Sequence, residues 1–535
     1  MSSTLPHTPV VGPCPRGGRL PQAPTASTSA THTYGQILKS SALIGGSSIA
    51  SVGFGIIRTK AMALLLGPAG VGLLGLYGAI VDFAQSIAGL GISSSGVRQI
   101  AEAVGSGDAE RLARTVTVLR RTSLVLGVVG AALLLFLSRP IAILTFGSDH
   151  HSAAVALLSL AVAFRVISAG QGALIQGLRR IPDLAKLGSL GALLGTVISI
   201  PAVYVGGADG VAPALVAISA LALVTSWSYS RKVRLDPPGM TTSEVRQEAK
   251  ALLKLGLAFM ASGLLMMGSA YLIRITILRT LGFEAAGLYQ AAWTVGGLYV
   301  GFILQAMGAD FYPRLTAAAK DNDQCNRLVN EQAQVSLLLA GPGVIGTLTF
   351  APIVIAMLYS AQFDPGVPLL RWICGGMALR VVTWPLGFII LAKGVQSLFF
   401  ATELAWTVVH LGLAWTCVHW FGLNGAGIAS LGSYIFHGFL IYPLVRHLTG
   451  FRWSTANRHA GALFIGLITL VSCAFLVLSS MAATLVGILA LVLSTAYSLR
   501  ALLTIVPVQH MPQRLQRLLV RLHSVATGVK PWRTG

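Results

Sequence analysis

Long apolar stretches separated by short polar ones recur along almost the whole chain. They cover approximately residues 38–66, 70–97, 122–138, 152–178, 187–205, 211–230 and 252–281, then 286–313, 333–358, 366–391, 396–420, 425–445, 460–478 and 482–504. A helix needs about 20 apolar residues to cross a hydrocarbon layer, so the pattern predicts fourteen transmembrane helices. Gly and Pro inside these runs do not oppose the reading, because membrane helices tolerate both.

The runs also repeat. Leu66-Gly67 and Gly72 recur in the second half as Leu281-Gly282 and Gly287, and Asp209-Gly210 recurs as Asn424-Gly425 at the same offset. Pro140-Ile141-Ala142-Ile143 recurs as Pro352-Ile353-Val354-Ile355. Six spans therefore repeat as six, and because each half holds an even number, the halves share an orientation. The expected fold is an all-α polytopic membrane protein with about 14 transmembrane helices: two six-helix bundles in a parallel pseudo-two-fold repeat, plus two C-terminal helices. Its expected parts are a disordered N-terminal tail (1–33), an N-terminal bundle (34–232), a cytoplasmic linker (233–250), a C-terminal bundle (251–448), two additional helices (449–505) and a basic amphipathic tail (506–535).

Composition agrees. The 535 residues are 54% hydrophobic and only 10% charged, with a net charge of +21 and a mean hydropathy of +0.75. Sorting the Lys and Arg residues by loop places them overwhelmingly on one side of the spans, with Arg139 facing the other side, and puts both termini in the cytoplasm of a bacterial inner membrane. Basic residues spread over many loops exclude nucleic acid as the partner. The Pro- and Ser-rich residues 1–33 lack the apolar core of a signal peptide and read as a tail or a misplaced start. The five cysteines are scattered, with no pair at metal-ligand spacing, and neither a metal nor another cofactor is expected.

Charges inside the spans are the candidate chemistry, since each is costly in hydrocarbon unless it faces water or a partner. Seven cations fall there: Arg58, Lys60, Arg165, Arg274, Arg279, Arg371 and Arg380. Three acids, Asp82, Asp310 and Glu403, oppose them. The repeat pairs Arg58 with Arg274, Arg98 with Arg314 and Arg165 with Arg380. Arg58, Arg165, Arg274 and Arg380 lie well inside their spans and are the expected substrate-binding set. Lys60, Asp82, Arg98, Arg279, Asp310, Arg314 and Glu403 form a second set, assigned to the cavity or to coupling; snorkelling is the competing explanation for Arg98 and Arg314, and structural ion pairing for the acids. An arginine surplus favours an anionic cargo, because the guanidinium fork binds phosphate through two hydrogen bonds and stays charged when buried.

Other polar residues carry less. His150-His151 beside Asp149 reads as an exposed turn more readily than as a metal pair. His410, His419 and His437 lie in or near spans eleven and twelve, and Trp415, Trp420 and Tyr434 suit either an interfacial belt or stacking on sugars.

Gly67-Pro68-Ala69-Gly70-Val71-Gly72, followed by Gly89-Leu90-Gly91 and Gly96-Val97-Arg98, resembles the start of polysaccharide transporters, the O-antigen and lipid-linked oligosaccharide flippases of the multidrug, oligosaccharidyl-lipid and polysaccharide exporter superfamily. Phe311-Tyr312-Pro313-Arg314 and Gly422-Leu423-Asn424-Gly425-Ala426-Gly427 are similar to the second-half motifs, so the resemblance covers approximately residues 34–448. It implies a V-shaped pair of bundles around a cationic cavity, and export of undecaprenyl-pyrophosphate-linked glycans to the periplasmic leaflet by alternating access. A polysaccharide polymerase or chain-length regulator is an implied partner, beside the glycan and the lipid bilayer. A multidrug or cation antiporter of the same superfamily is the alternative, and a membrane glycan polymerase or ligase a weaker one, since the loops are too short for an extramembrane catalytic site. No enzymatic activity is expected.

Overall fold

The structure, a computed structural model, describes residues 30–233 and 239–505. The described residues form fifteen α-helices and no strand. In the first half these are α1 (Ala30–Gly89), α2 (Ile92–Ser106), α3 (Ala109–Phe136), α4 (Ser138–Phe146), α5 (Ser152–Gly177), α6 (Ile181–Gly206) and α7 (Val211–Ser230). In the second they are α8 (Thr242–Ala317), α9 (Asn322–Thr349), α10 (Ala351–Leu358), α11 (Val367–Ala392), α12 (Gln396–Phe421) and α13 (Leu423–Thr449), with α14 (Thr455–Val477) and α15 (Ser480–Ile505) added at the end.

Two of these helices are folded back on themselves. Gly67 in α1 (φ 63°, ψ −173°) and Gly282 in α8 (φ 87°, ψ 179°) leave helical geometry, at a positive φ that glycine adopts without a Cβ penalty. Arg274 donates to Gln290, Nε to Oε1 at 3.0 Å. A straight helix between them would hold these side chains about 24 Å apart, so the chain reverses. In α1, Met62 packs in one cluster with Tyr77, Ile80 and Val81 across Gly67. Among the described residues eleven helices are long and apolar enough to span a membrane, and the α9–α10 pair, bent by 82°, makes a twelfth if counted as one span. With the two arms of α1 and of α8 counted separately, this is compatible with fourteen spans.

The repeat is visible in the element boundaries. Moving α5 (Ser152–Gly177) and α6 (Ile181–Gly206) along the chain by the offset that separates Gly67 from Gly282 reproduces the limits of α11 (Val367–Ala392) and α12 (Gln396–Phe421). The halves join along α1 and α8. Towards the Gly67 and Gly282 end, a Cβ on Gly72 would strike the Phe283 carbonyl, and one on Gly287 would strike the Pro68 carbonyl. Farther along the interface Phe83 packs on Tyr271, the rings tilted by 31° with centroids 5.6 Å apart. At the opposite end Gly91 and Gly256 pack backbone against backbone. Both α14 and α15 lie on α9, where Phe464 fills the space beside Gly341 and Thr349 that beside Gly487.

Several boundaries differ from expectation for local reasons. The span expected over 70–97 stops at Gly89, because Leu90 (φ 45°) and Gly91 (φ 66°) take left-handed conformations and start a separate helix, α2. The span expected from 122 begins at Ala109, where the Asp108 side chain accepts from the Arg111 N–H at 2.8 Å. The expected linker 233–250 is shorter, since α8 is helical from Thr242. Its capping box has Thr241 Oγ1 accepting from the Glu244 N–H, while the Glu244 carboxylate accepts from the Thr241 N–H at 2.7 Å. The span expected over 333–358 is two helices, α9 and α10. Residues 1–29, 234–238 and 506–535 lie outside the described residues, and with them most of the expected N-terminal tail, part of the linker and the basic amphipathic tail.

Candidate functional site: a cavity between the two halves

A cavity of about 890 Å³ lies between the halves and is lined from both. Arg58, Arg165, Arg274 and Arg380 all line it. They come from four elements, the first arm of α1, α5, the first arm of α8, and α11, two from each half. Asp82 and Glu403 line the same cavity, so four guanidinium groups face two carboxylates.

The four arginines have different surroundings. Arg165 pairs with Asp82, Nη1 to Oδ1. Arg58 lies within electrostatic range of Arg165, and its Nη1 would sit 3.3 Å from a Cβ at Gly195, so the glycine leaves space for the guanidinium. Arg274 donates Nη1 to the Ala270 carbonyl at 2.9 Å besides its bond to Gln290, and its guanidinium stands 5.9 Å from the Tyr289 ring centroid. Arg380 interacts with Glu403 and Tyr434.

The remaining candidates lie elsewhere. Lys60 reaches the other half, where Nζ donates to the Ala356 carbonyl in the last turn of α10 at 2.7 Å. Arg279 makes the reciprocal crossing, its guanidinium lying against Gly147, the residue that caps the C-terminus of α4. Each cation thus sits at the electronegative end of a short helix in the opposite half. Arg98 pairs with Glu102 at 2.9 Å on an exposed face of α2. Arg314 is exposed near the end of α8 and outside the cavity lining. The side chain of Asp310 is outside the described residues. Arg371 stacks on Phe475 of α14, 3.5 Å from the ring centroid.

His151, expected in an exposed turn, is half-buried. Its Nδ1 is 2.9 Å from the Tyr77 hydroxyl, and its ring packs on Phe146 at 4.3 Å and on Phe283 of the other half at 5.8 Å. His410 and His437 line the cavity, whereas His419 binds the Trp415 carbonyl on an exposed face. Trp415 and Trp420 are exposed on the outside of the bundle. Trp293, Trp384 and Trp406 line the cavity and were not singled out by the sequence; reading each position against its repeat mate in the other half would have drawn attention to them.

Known proteins resemble this architecture. A family model described as polysaccharide biosynthesis protein matches residues 61–368. The lipid III flippase of Escherichia coli (strain K12) is 22% identical over 406 residues, covering 75% of this chain and 95% of the flippase. Among solved structures, an inward-facing multidrug resistance MATE family transporter of the MOP superfamily aligns with a TM-score of 0.58 at 19% identity, covering 74% of this chain and 94% of that one. A MOP superfamily transporter from Pyrococcus furiosus aligns with a TM-score of 0.57 at 18% identity, over 77% of this chain and 95% of that one. At such identities the structural matches establish a shared fold.

Proposed function

Because the chain belongs to the polysaccharide biosynthesis protein family, we propose that it is a flippase carrying an undecaprenyl-pyrophosphate-linked oligosaccharide, an O-antigen or exopolysaccharide repeat unit, from the cytoplasmic to the periplasmic leaflet. The chain is a multi-pass membrane transporter and not an enzyme. The observation that carries the cargo assignment is the meeting of Arg58, Arg165, Arg274 and Arg380, two from each half, on one cavity. A pyrophosphate offers several anionic oxygens, and guanidinium forks on opposing walls bind it from two sides. The sugars occupy the polar interior while the polyprenyl tail stays in lipid, so polar groups never cross hydrocarbon unsolvated.

Alternating access follows from the contacts between halves. By the distribution of basic loops, the Gly67 and Gly282 end faces the periplasm and both termini face the cytoplasm of a bacterial inner membrane. The Gly72–Gly287 crossing, Lys60 on α10 and Arg279 on α4 then form the periplasmic closure. Cargo arriving from the cytoplasmic leaflet competes with Asp82 for Arg165, and parting of the closure releases it outward. A multidrug antiporter would use the same fold, but a cationic drug gains nothing from four arginines against two acids.

The test is reconstitution in proteoliposomes with a polyprenyl-pyrophosphate-linked oligosaccharide, its appearance in the opposite leaflet being followed with a lectin. Protein-dependent flipping of this lipid, without export of a cationic dye such as ethidium, supports the assignment. Dye export without glycan flipping rejects it.

A further inference from the structure

The repeat that relates α5 and α6 to α11 and α12 is broken by the cavity lining. Among the described residues all seven aromatic side chains and both histidines that line the cavity belong to the second half. For six of these nine the repeat mate in the first half is small: Trp293, Trp384 and Trp406 stand where the first half has Gly78, Ala169 and Gly191. Likewise His410, Tyr434 and His437 stand where it has Gly195, Ser219 and Ala222. Arginine is kept on both sides, so the halves differ in ring content rather than in charge. This is more than a filled space. Trp406 Nε1, His410 Nδ1 and His437 Nδ1 are buried without a hydrogen-bond partner, and His410 is only 4% exposed. A wall meant only to pack would be apolar, because an unpaired buried donor or acceptor is costly.

We propose that this α11–α13 wall is a saccharide-binding face, which takes the sugars next to the pyrophosphate of the lipid-linked glycan. A pyranose offers an apolar C–H face to an aromatic ring and a rim of hydroxyls that both donate and accept. The wall matches both features. Trp406 lies 5.0 Å from His410 and 5.7 Å from Tyr434, a tilted run of rings. Trp406, His410 and His437, which carry these unpaired nitrogens, line the same cavity as Glu403 and Arg380. Indole and phenol rings carry no charge to balance a pyrophosphate, so the diphosphate falls to the four arginines that line the cavity and the sugars to its ring-bearing side. The cargo would thus lie off the axis, its diphosphate among the arginines of both halves and its sugars against the second half.

This inference rests on the flippase reading, and calorimetry on the full chain in lipid nanodiscs separates the two. The ligands are geranyl pyrophosphate and its glucose-, galactose- and N-acetylglucosamine-bearing forms. Wild type is expected to bind at least one sugar-bearing form about tenfold more tightly than geranyl pyrophosphate. The triple variant W406F/H410L/H437L, which removes the unpaired polar atoms while keeping the site filled, should lose that gain and hold geranyl pyrophosphate within about twofold of wild type. A single W406F variant showing the same loss of preference supports the face should the triple variant fail to fold. Equal binding of bare and sugar-bearing ligands by wild type overturns the saccharide face and leaves the flippase reading standing. So does a variant that weakens all the ligands alike. Wild type binding none of the four overturns the flippase reading and the face with it.

Discussion

Gly72 and Gly287, mates in the repeat, meet each other across the interface of the two halves, each so close to the other's helix that a Cβ on either would strike backbone. The same two positions that mark the duplication in sequence therefore form its crossing point in space. Replacing Gly287 by Leu must push the Pro68 and Phe283 turns apart. Overpacking of this sort costs about 1–3 kcal/mol, here charged to the closed arrangement. The expected outcome is a lowered melting temperature and a loss of flipping with membrane insertion intact; unchanged transport would show that the crossing does not need to close.

Asp82 pairs with Arg165 on the cavity wall. Asp82→Asn should release the guanidinium and tighten geranyl pyrophosphate binding, whereas Arg165→Gln should weaken it. A charge-assisted hydrogen bond contributes about 1.5–3 kcal/mol, and sharing it between cargo and Asp82 leaves shifts of roughly 3- to 10-fold. Calorimetry at two salt concentrations checks this. Weaker binding by Asp82→Asn would mean that the carboxylate orients Arg165 rather than competing for it.

Lys60 and Arg279 each hold the C-terminal end of a short helix across the interface. A cation at a helix C-terminus contributes about 0.3–1 kcal/mol, and sites on different helix ends act additively. Lys60→Met and Arg279→Met should each shift part of the population towards separation of α4 from α10, and the double variant should shift more. Spin labels on the exposed Leu144 and Met357 positions, in a background without native cysteines, report the separation by electron resonance. Identical distance distributions in all variants would remove both contacts from the closure.

His151 makes the same region sensitive to acid. Burial and the neighbouring His150 push its pKa below the ordinary histidine value of 6.5, against an opposing pull from Asp209. A depressed folded-state value means that the open or unfolded protein binds the proton more readily, so the stabilisation is full above about pH 6.5 and is lost as pH falls through the folded value. Protonation also makes both ring nitrogens donors, so Nδ1 can then only donate to the Tyr77 hydroxyl. The label pair should therefore lengthen its separation between pH 7.5 and pH 5, and His151→Gln should flatten the dependence. A pH response that persists in His151→Gln assigns it to another group.

Much of this was legible in the chain because duplication and hydrocarbon both leave strong marks. Leu66-Gly67 and Leu281-Gly282 identified the two reversals, and four arginines placed mid-span, where solvation is unavailable, identified the cavity. The break at Leu90-Gly91 was not read, although Gly89, Gly91 and the run Ser93-Ser94-Ser95 mark it, because membrane helices tolerate glycine and the close approach of Gly256 is not visible locally. Nor were the partners of Lys60 and Arg279, because nothing local tells a side chain crossing to α10 or α4 from one facing a cavity. Trp384 and Trp406 look like ordinary span residues until Ala169 and Gly191 are set beside them.

The most direct measurement replaces Arg58, Arg165, Arg274 and Arg380 together by Gln and follows flipping of the lipid-linked oligosaccharide in proteoliposomes, with circular dichroism and melting to verify the fold. A folded variant that neither binds geranyl pyrophosphate nor moves the glycan is the expected result. A variant that flips at the wild-type rate would contradict recognition of the diphosphate by these four side chains.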